Sequence, residues 1–158
     1  MTDSAKFTIG RILLSLVAIS NSASPYIADF NYTHVYNPNW PPHARFHNGQ
    51  TMSMGFVLGL TALYYAWRPV FSATTYTKAM AKDSAFTASV IATLYWVTGL
   101  SATFYPGAAA LDPEFIGTSH DFKVLGMPIQ LTVFSLHGFL ACVAYALESR
   151  RLEKAKEA

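Results

Sequence analysis

The run Met127–Leu147, MPIQLTVFSLHGFLACVAYAL, contains no aspartate, glutamate, lysine or arginine. A helix needs roughly 20 mostly apolar residues to cross the hydrocarbon core of a bilayer, which is the length of this run. Residues 7–28, 49–67 and 84–105 have the same character, and Arg11 is the one strong charge inside them. We expect Arg11 to extend outward to the membrane surface, because it stands near the start of its run. The sequence therefore predicts an all-α protein, a bundle of four transmembrane helices.

The composition also favours a membrane protein over a soluble one. Hydrophobic residues make up 52% of the 158 residues and charged residues 13%, with a mean hydropathy of +0.25. Soluble domains carry about 25% charged residues, and four such apolar helices would leave a soluble protein too little polar surface. The length indicates one integral-membrane domain, 1–158. Its helices are predicted at about 7–28, 41–67, 84–105 and 127–148.

The single cysteine, Cys142, lies within an apolar run. One cysteine excludes an intramolecular disulfide framework and a cysteine-cluster metal site. We expect it to be a small buried hydrophobic residue.

The positions of the basic residues predict the orientation. Of the 11 lysines and arginines, only Arg45 and Lys123 fall in the predicted first and third loops. The positive-inside rule then places both termini in the cytoplasm and these two loops on the outer side. That side is the lumen of the endoplasmic reticulum in a eukaryote, or the outer face of the plasma (inner) membrane in a bacterium. The small bundle has little interior room, so we expect a homo-oligomer, and no basic stripe indicates a nucleic-acid partner.

The stretch Trp40–Gln50, WPPHARFHNGQ, opens the second predicted helix, with Asn39 as its expected cap. His43 and His47 are one turn apart on one face of that helix. Arg45 opposes the positive end of the helix dipole unless a carboxylate pairs with it. The carboxylates predicted on the same side belong to Asp29, Asp112, Glu114 and Asp121.

Titratable side chains clustered at one mouth of a bundle predict a site for acid–base chemistry. The candidate catalytic residues are Asp29, His43, Arg45, His47 and Asp121. Asp29 or Asp121 would act as the base, and His43, Arg45 or His47 would stabilise or protonate a substrate oxygen. The predicted substrate is a lipophilic, oxygenated small molecule that meets the enzyme from the membrane lipid, and an epoxide suits a carboxylate–acid pair best. Isomerisation and cyclisation are further reactions of this kind, and none of the three needs a cofactor.

Further polar residues could bind the substrate. They are His34, Trp40, Gln50, His120, Gln130 and His137. A histidine at the depth of His137 is costly unless it faces the bundle interior or a cavity. It either bonds to a serine, threonine or tyrosine of a neighbouring helix, or forms the floor of a pocket with His43, Arg45 and His47 at its mouth.

Two other readings of the cluster stay open. One is a metal-dependent membrane oxidoreductase with His43, His47, His120 and Asp121 as ligands, since H-x-x-x-H on a helix has metal-ligand spacing. The other is a non-catalytic protein that binds a lipid or small molecule, or serves as a scaffold. In that case the polar cluster only holds the loops together.

The block Thr33–Met52, THVYNPNWPPHARFHNGQTM, resembles a family of small four-span membrane proteins of unknown function found in fungi and bacteria. The resemblance implies the four-span architecture and no established activity. It marks as signature positions His34, Asn37, Trp40, His43, Arg45 and His47. More loosely, the chain is similar to small integral-membrane hydrolases, isomerases and cyclases of fungal secondary metabolism. That similarity implies carboxylates and histidines acting on lipophilic intermediates.

Overall fold

The protein folds as one bundle of four α-helices. The computed structural model describes residues 7–72 and 75–154, so the ends of the predicted domain and residues 73–74 lie outside the described part. The helices are α1 (Ile9–Asp29), α2 (Pro42–Phe71), α3 (Lys78–Ser101) and α4 (Ile129–Lys154). Each helix packs against its neighbours in sequence, and α1 also packs against α4. The all-α prediction is confirmed, whereas the crossing of a membrane by all four helices stays a prediction.

The two ends of the bundle differ in how they are built. The start of α1 and the end of α4 lie together at what we call the terminal end. The connections 30–41 and 105–128 lie at what we call the loop end. Short 3₁₀ turns (Ala102–Phe104 and Pro113–Phe115) and a two-residue hairpin (Lys123–Val124 with Met127–Pro128) are the regular structure of the second connection. The hairpin reverses through Leu125 and Gly126, both at positive φ, as a tight two-residue turn requires.

The second helix does not end near residue 67, as the sequence predicts, because α2 continues to Phe71. Proline has no N–H, so Pro69 leaves the carbonyl of Tyr65 without its helical partner. The Ser84 hydroxyl of α3 donates to that carbonyl at 2.7 Å. A neighbouring helix thus replaces the missing bond and lets α2 pass through the proline.

The predicted cap of the second helix and the predicted start of the third are also wrong. Pro41 occupies the N-cap position of α2 and makes no side-chain capping bond, while Asn39 contacts the other connection instead. The third helix begins at Lys78, before the predicted 84, and Thr77 caps it by accepting the Met80 N–H at 3.2 Å. The charged first turn of α3 hid this start from a search for apolar runs.

Small residues bring α1 and α2 into close contact. A Cβ on Gly59 would lie 2.1 Å from Ser22 Oγ and 2.3 Å from the carbonyl oxygen of Ala18. Gly55, one turn earlier, meets the backbone of α1 in the same way. This Gly-x-x-x-Gly pair allows the close backbone approach that is typical of membrane helices. The buried side of α2 repeats at alternating spacings of four and three, through Asn48, Met52, Gly55, Gly59, Ala62, Ala66 and Pro69.

Large apolar side chains lie mainly on the outside of the bundle. Exposed examples occur on every helix, such as Leu16 and Ile19 of α1, Leu60 of α2, Val97 of α3 and Phe139 of α4. Two helical segments, Lys78–Phe104 and Ile129–Lys154, are long and apolar enough to cross a membrane. By length and composition alone, this is a weak indication of membrane association.

Two side chains do not lie where the sequence predicts. Arg11 points into the bundle and is only 3% exposed, with bonds from its guanidinium to the Ala66 carbonyl (3.0 Å) and to Glu148 Oε1 (3.3 Å). The prediction that it extends to the membrane surface is wrong, because Glu148 and a helix carbonyl satisfy it inside. Cys142, expected to be buried, is exposed on α4.

Candidate functional site

Three side chains of the first connection bind carboxylates of the second. Asn37, which is 1% exposed, donates to Glu114 Oε1 at 2.6 Å, and Asn39 donates to Glu114 Oε2 at 2.5 Å. The Trp40 indole N–H donates to Asp112 Oδ2 at 2.8 Å. We call these contacts the loop clamp. The loop clamp holds the two connections over the loop end as one polar layer.

Asp29 lies beneath this layer at the last position of α1. Its carboxylate accepts a bond of 2.8 Å from the Asn48 side-chain amide of α2. The His34 imidazole Nε2 lies 3.7 Å from its other oxygen. A carboxylate, an amide and an imidazole therefore meet where α1, the first connection and α2 converge.

The carboxyl group of Asp29 is largely buried. Its side chain is 16% exposed and directly follows the predicted membrane span 7–28. Burial raises the pKa of the carboxyl group above its ordinary value, and the nearby His34 and the bond from Asn48 only partly oppose this. No lysine or arginine in residues 7–72 and 75–154 forms an ion pair with it. Such a carboxylate is suited to exchanging a proton.

His34 is fixed in place beside Asp29. Its Nδ1 lies 2.7 Å from the hydroxyl of Thr33, and its ring meets Trp40 edge-on at 4.8 Å between centroids. Trp40 is itself held by the loop clamp. The structure thus brings two predicted substrate-binding residues, His34 and Trp40, to the predicted catalytic residue Asp29.

Arg45 does not have the acidic partner that its position predicts. Its guanidinium donates to the backbone carbonyl of Asn37 at 2.7 Å. In the described ranges it forms no ion pair with a carboxylate. The dipole of the Asn37 carbonyl supplies the negative potential that Arg45 needs at the start of α2. This bond also helps to hold the first connection in place.

His43 and His47 share one face of α2, as the sequence predicts, but that face is exposed. Their Nε2 atoms are 3.0 Å apart, and His47 Nδ1 lies 3.3 Å from Gln50 Oε1. Asn48, the next residue, points inward to Asp29 instead. The helix therefore separates the exposed histidine pair from the buried cluster.

The second connection and the start of α4 line a half-open cavity of about 200 Å³, and three predicted site residues contribute to it. These are His120, Asp121 and Gln130, among mostly apolar neighbours. The backbone N–H of Gly117 and the ammonium group of Lys123 hold the pKa of Asp121 below its ordinary value. A carboxylate that keeps its charge so readily is a weaker base than Asp29.

The four ligands of the alternative metal site are not assembled. Throughout residues 7–72 and 75–154, no three or more His, Cys, Asp or Glu side chains are placed to hold one metal ion. His43 and His47 pair with each other on α2, whereas His120 packs against Phe115 in the second connection.

His137 bonds to a neighbouring helix, which is the first of the two roles considered for it. Its Nδ1 lies 2.8 Å from the carbonyl of Val133, which can only accept, so Nδ1 carries the proton. Its Nε2 then accepts from Ser20 of α1 at 2.9 Å, and the ring stacks on Trp96 at 4.2 Å. His137 does not line the cavity of the second connection.

A family model matches residues 13–158, which include most of α1 and all of the later helices. The chain belongs to DUF6640, a family of unknown function. The DUF6640 match contains the block Thr33–Met52, so the resemblance is consistent with it at the level of a family without known activity. Searches of the curated proteins and of the solved structures found no match.

Sequence reasoning missed two residues that shape the site of this DUF6640 chain. Asn48 is easily missed because it directly follows the conspicuous pair His43 and His47. Its place at the start of the four-and-three repeat of α2 could have shown that it faces inward. Glu114 was considered only as a partner of Arg45, and no pattern in the sequence pairs it with Asn37 and Asn39.

Proposed function

We propose that the chain is an integral-membrane enzyme that performs acid–base chemistry on a lipophilic, oxygenated small molecule in a biosynthetic pathway. Epoxide hydrolysis is the favoured reaction, ahead of isomerisation and cyclisation. All four helices would cross the membrane, with both termini in the cytoplasm and the loop end on the lumenal or outer side. The small size of the bundle keeps homo-oligomerisation as part of the proposal.

The distribution of apolar side chains supports the membrane part. Large apolar groups face outward on all four helices, while glycines, alanines and polar groups fill the contacts between helices. Such an exterior supports a hydrocarbon surrounding, because a soluble protein rarely exposes so many large apolar side chains. Small residues at the helix contacts agree with packing in lipid.

Asp29 is the single observation that carries the enzymatic part. It is a largely buried carboxylate with an amide and an imidazole as its neighbours, and its pKa is raised. Asp29 would accept a proton from the attacking group, and the protonated form of His34 would donate one to the departing oxygen. The exposed start of α2 would attract the substrate and stabilise its oxygen as it approaches Asp29. The side chains that would do so are those of His43, Arg45 and His47.

The test compares Asp29→Asn with Asp121→Asn as the matched control. Membranes containing each variant are incubated with a panel of monocyclic lipophilic epoxides, and product formation is followed by mass spectrometry. We expect Asp29→Asn to lose about 10²–10⁴-fold in rate, the usual worth of a positioned general base, and Asp121→Asn to keep most activity. Full activity of Asp29→Asn, at equal amounts of inserted protein, would remove Asp29 from the chemistry.

The cavity of the second connection favours a second candidate, a non-catalytic small-molecule-binding protein. An apolar cavity of roughly 150 Å³ can hold benzene, so about 200 Å³ suits a somewhat larger ring compound. Its few polar groups, His120 and Gln130 among them, could orient one oxygen of the ligand. Binding of panel members without turnover, lost in Gln130→Leu, would favour this function over the enzymatic one.

A further inference from the structure

Asn48 has an unused hydrogen-bond acceptor beside Asp29. The residue is 8% exposed, and its Nδ2 donates to Asp29 Oδ2 at 2.8 Å. Its Oδ1 is buried and has no partner within the described ranges. Buried polar atoms are nearly always satisfied, so an exception indicates a water molecule or a ligand.

The two groups are close enough to share one water molecule. The nitrogen and oxygen of an amide are about 2.3 Å apart, so Asn48 Oδ1 lies within about 5 Å of Asp29 Oδ2. A water molecule that donates two bonds of about 2.8 Å joins acceptors about 4.5 Å apart. The spacing of the two acceptors therefore suits one bridging water with one hydrogen on Asp29 and the other on Asn48. Its entry requires a small outward shift of the atoms that cover Asn48 Oδ1.

Two other buried atoms in the described ranges also have no partner, Asn21 Oδ1 and Trp96 Nε1. Asn21 donates to the backbone carbonyl of Ala92 and makes no described bond to a carboxylate. A water there would have no base to take its proton. Asn48 is thus distinguished from Asn21 by its direct bond to an acidic side chain of raised pKa.

We propose that Asp29 and Asn48 together hold the water molecule that the enzyme consumes, so that the reaction is a hydrolysis. This inference rests on the proposed function and selects among its reactions, because isomerisation and cyclisation consume no water. Asn48 is a positioning residue: its Oδ1 fixes the second hydrogen and aims a lone pair of the water at the substrate.

The step balances without a further reactant. The water oxygen forms a bond to one epoxide carbon as the bond between that carbon and the epoxide oxygen breaks. Asp29 takes a proton from the water, and the imidazolium of His34 gives one to the released oxygen. The product is a diol. His34 Nε2 lies 3.7 Å from the carboxylate, so the proton returns from Asp29 to His34 through a second water and the pair is restored.

The first experiment is an experimental structure of the full chain in lipid nanodiscs, resolved well enough to show water. We expect density for one water within about 3.2 Å of both Asp29 and Asn48 Oδ1. If Asn48 Oδ1 instead bonds to a protein group and no water touches both residues, the inference is wrong. This measurement needs no substrate.

The second experiment follows turnover in H₂¹⁸O. We expect one ¹⁸O per product. Asn48→Leu keeps the branching at Cγ but has no hydrogen-bonding group, and it should slow diol formation at least 10²-fold. Asn21→Leu is the matched control, because it also removes a buried amide with an unpartnered oxygen, and it should keep the rate of diol formation. Products without ¹⁸O, or full diol formation by Asn48→Leu, would overturn the inference. An inactive Asp29→Asn in the same assay would leave the acid–base function standing.

Discussion

Asp29 and Glu148 are largely buried carboxylates at opposite ends of the bundle, and their surroundings differ. Glu148 is 3% exposed and accepts bonds from the guanidinium groups of Arg11 (3.3 Å) and Arg151 (2.7 Å) and from the Thr8 hydroxyl (2.5 Å). Asp29 has a neutral amide and an imidazole instead. A carboxylate between two fixed positive charges holds structure, whereas one without them can take up and release a proton.

The hydrogen-bonding and ionic partners of these two carboxylates also come from different kinds of segment. At the terminal end the groups around Glu148 come from helices and the residue that caps α1, so their geometry follows from helix packing. At the loop end His34 comes from a connection, which the loop clamp holds in place. Active residues often lie on connections supported by a rigid scaffold. The comparison therefore separates an end held by fixed charges from the end where we propose the chemistry, and the following changes test that division.

The largest loss of stability should come from Glu148→Gln. Removing the carboxylate leaves two guanidinium charges in the terminal end without their shared counter-charge. Breaking a buried pair in this way costs about 3–5 kcal/mol of unfolding free energy. Thermal unfolding in detergent measures the loss. The control is Glu153→Gln, which removes an exposed carboxylate of α4 that pairs with Lys82 of α3. The melting temperature of this variant should stay near that of the unchanged protein.

A smaller effect is expected from Glu114→Gln in the loop clamp. The new amide presents a donor where Asn37 or Asn39 also donates, so one buried bond is lost at a cost of about 1–3 kcal/mol. Hydrogen exchange should accelerate in residues 30–41 and not in the helices. Asp112→Asn is the control, because an amide oxygen can still accept from Trp40. Equal exchange in Glu114→Gln and the unchanged protein would mean that the clamp does not order the loop end.

The smallest effect, of opposite sign, should come from Asp29→Asn. A carboxyl group whose pKa is raised by folding binds more protons in the folded than in the unfolded protein between its two pKa values. The free energy of unfolding therefore falls as pH rises through that interval. Asp29→Asn removes this loss and should melt slightly higher than the unchanged protein at pH 7, with no difference at pH values below both pKa values. A lower melting temperature at pH 7 would make Asp29 a structural residue.

The four helices could be predicted from the sequence because each contains a long run of residues that is free or nearly free of charges. The residues at which the helices begin and end could not be predicted. The start of α3 at Lys78 and the passage of α2 through Pro69 depend on polar groups beyond the apolar runs, one of them supplied by another helix. Asp29 and His34 could be named as candidates from their residue types and predicted side. Their meeting, and the part of Asn48, depend on how the first connection folds back over α1.

Arg11 and Glu148 could have been paired from the sequence. Arg11 is the one strong charge inside the first apolar run and Glu148 directly follows the last one, and an even number of helices brings both to one end. The prediction that Arg11 extends outward treated the first helix alone. The exposed His43–His47 pair shows the opposite error, because two histidines at helical spacing indicate a shared face but not the direction in which it points.

The bond between Arg11 and Glu148 also has a consequence for biogenesis. The two residues are 137 positions apart, so a ribosome adding about 5–20 residues per second makes Glu148 on the order of 10 s after Arg11. During that interval the guanidinium lacks its bond to Glu148. The contact between α1 and α4 at the terminal end can therefore form only after the last helix has been translated.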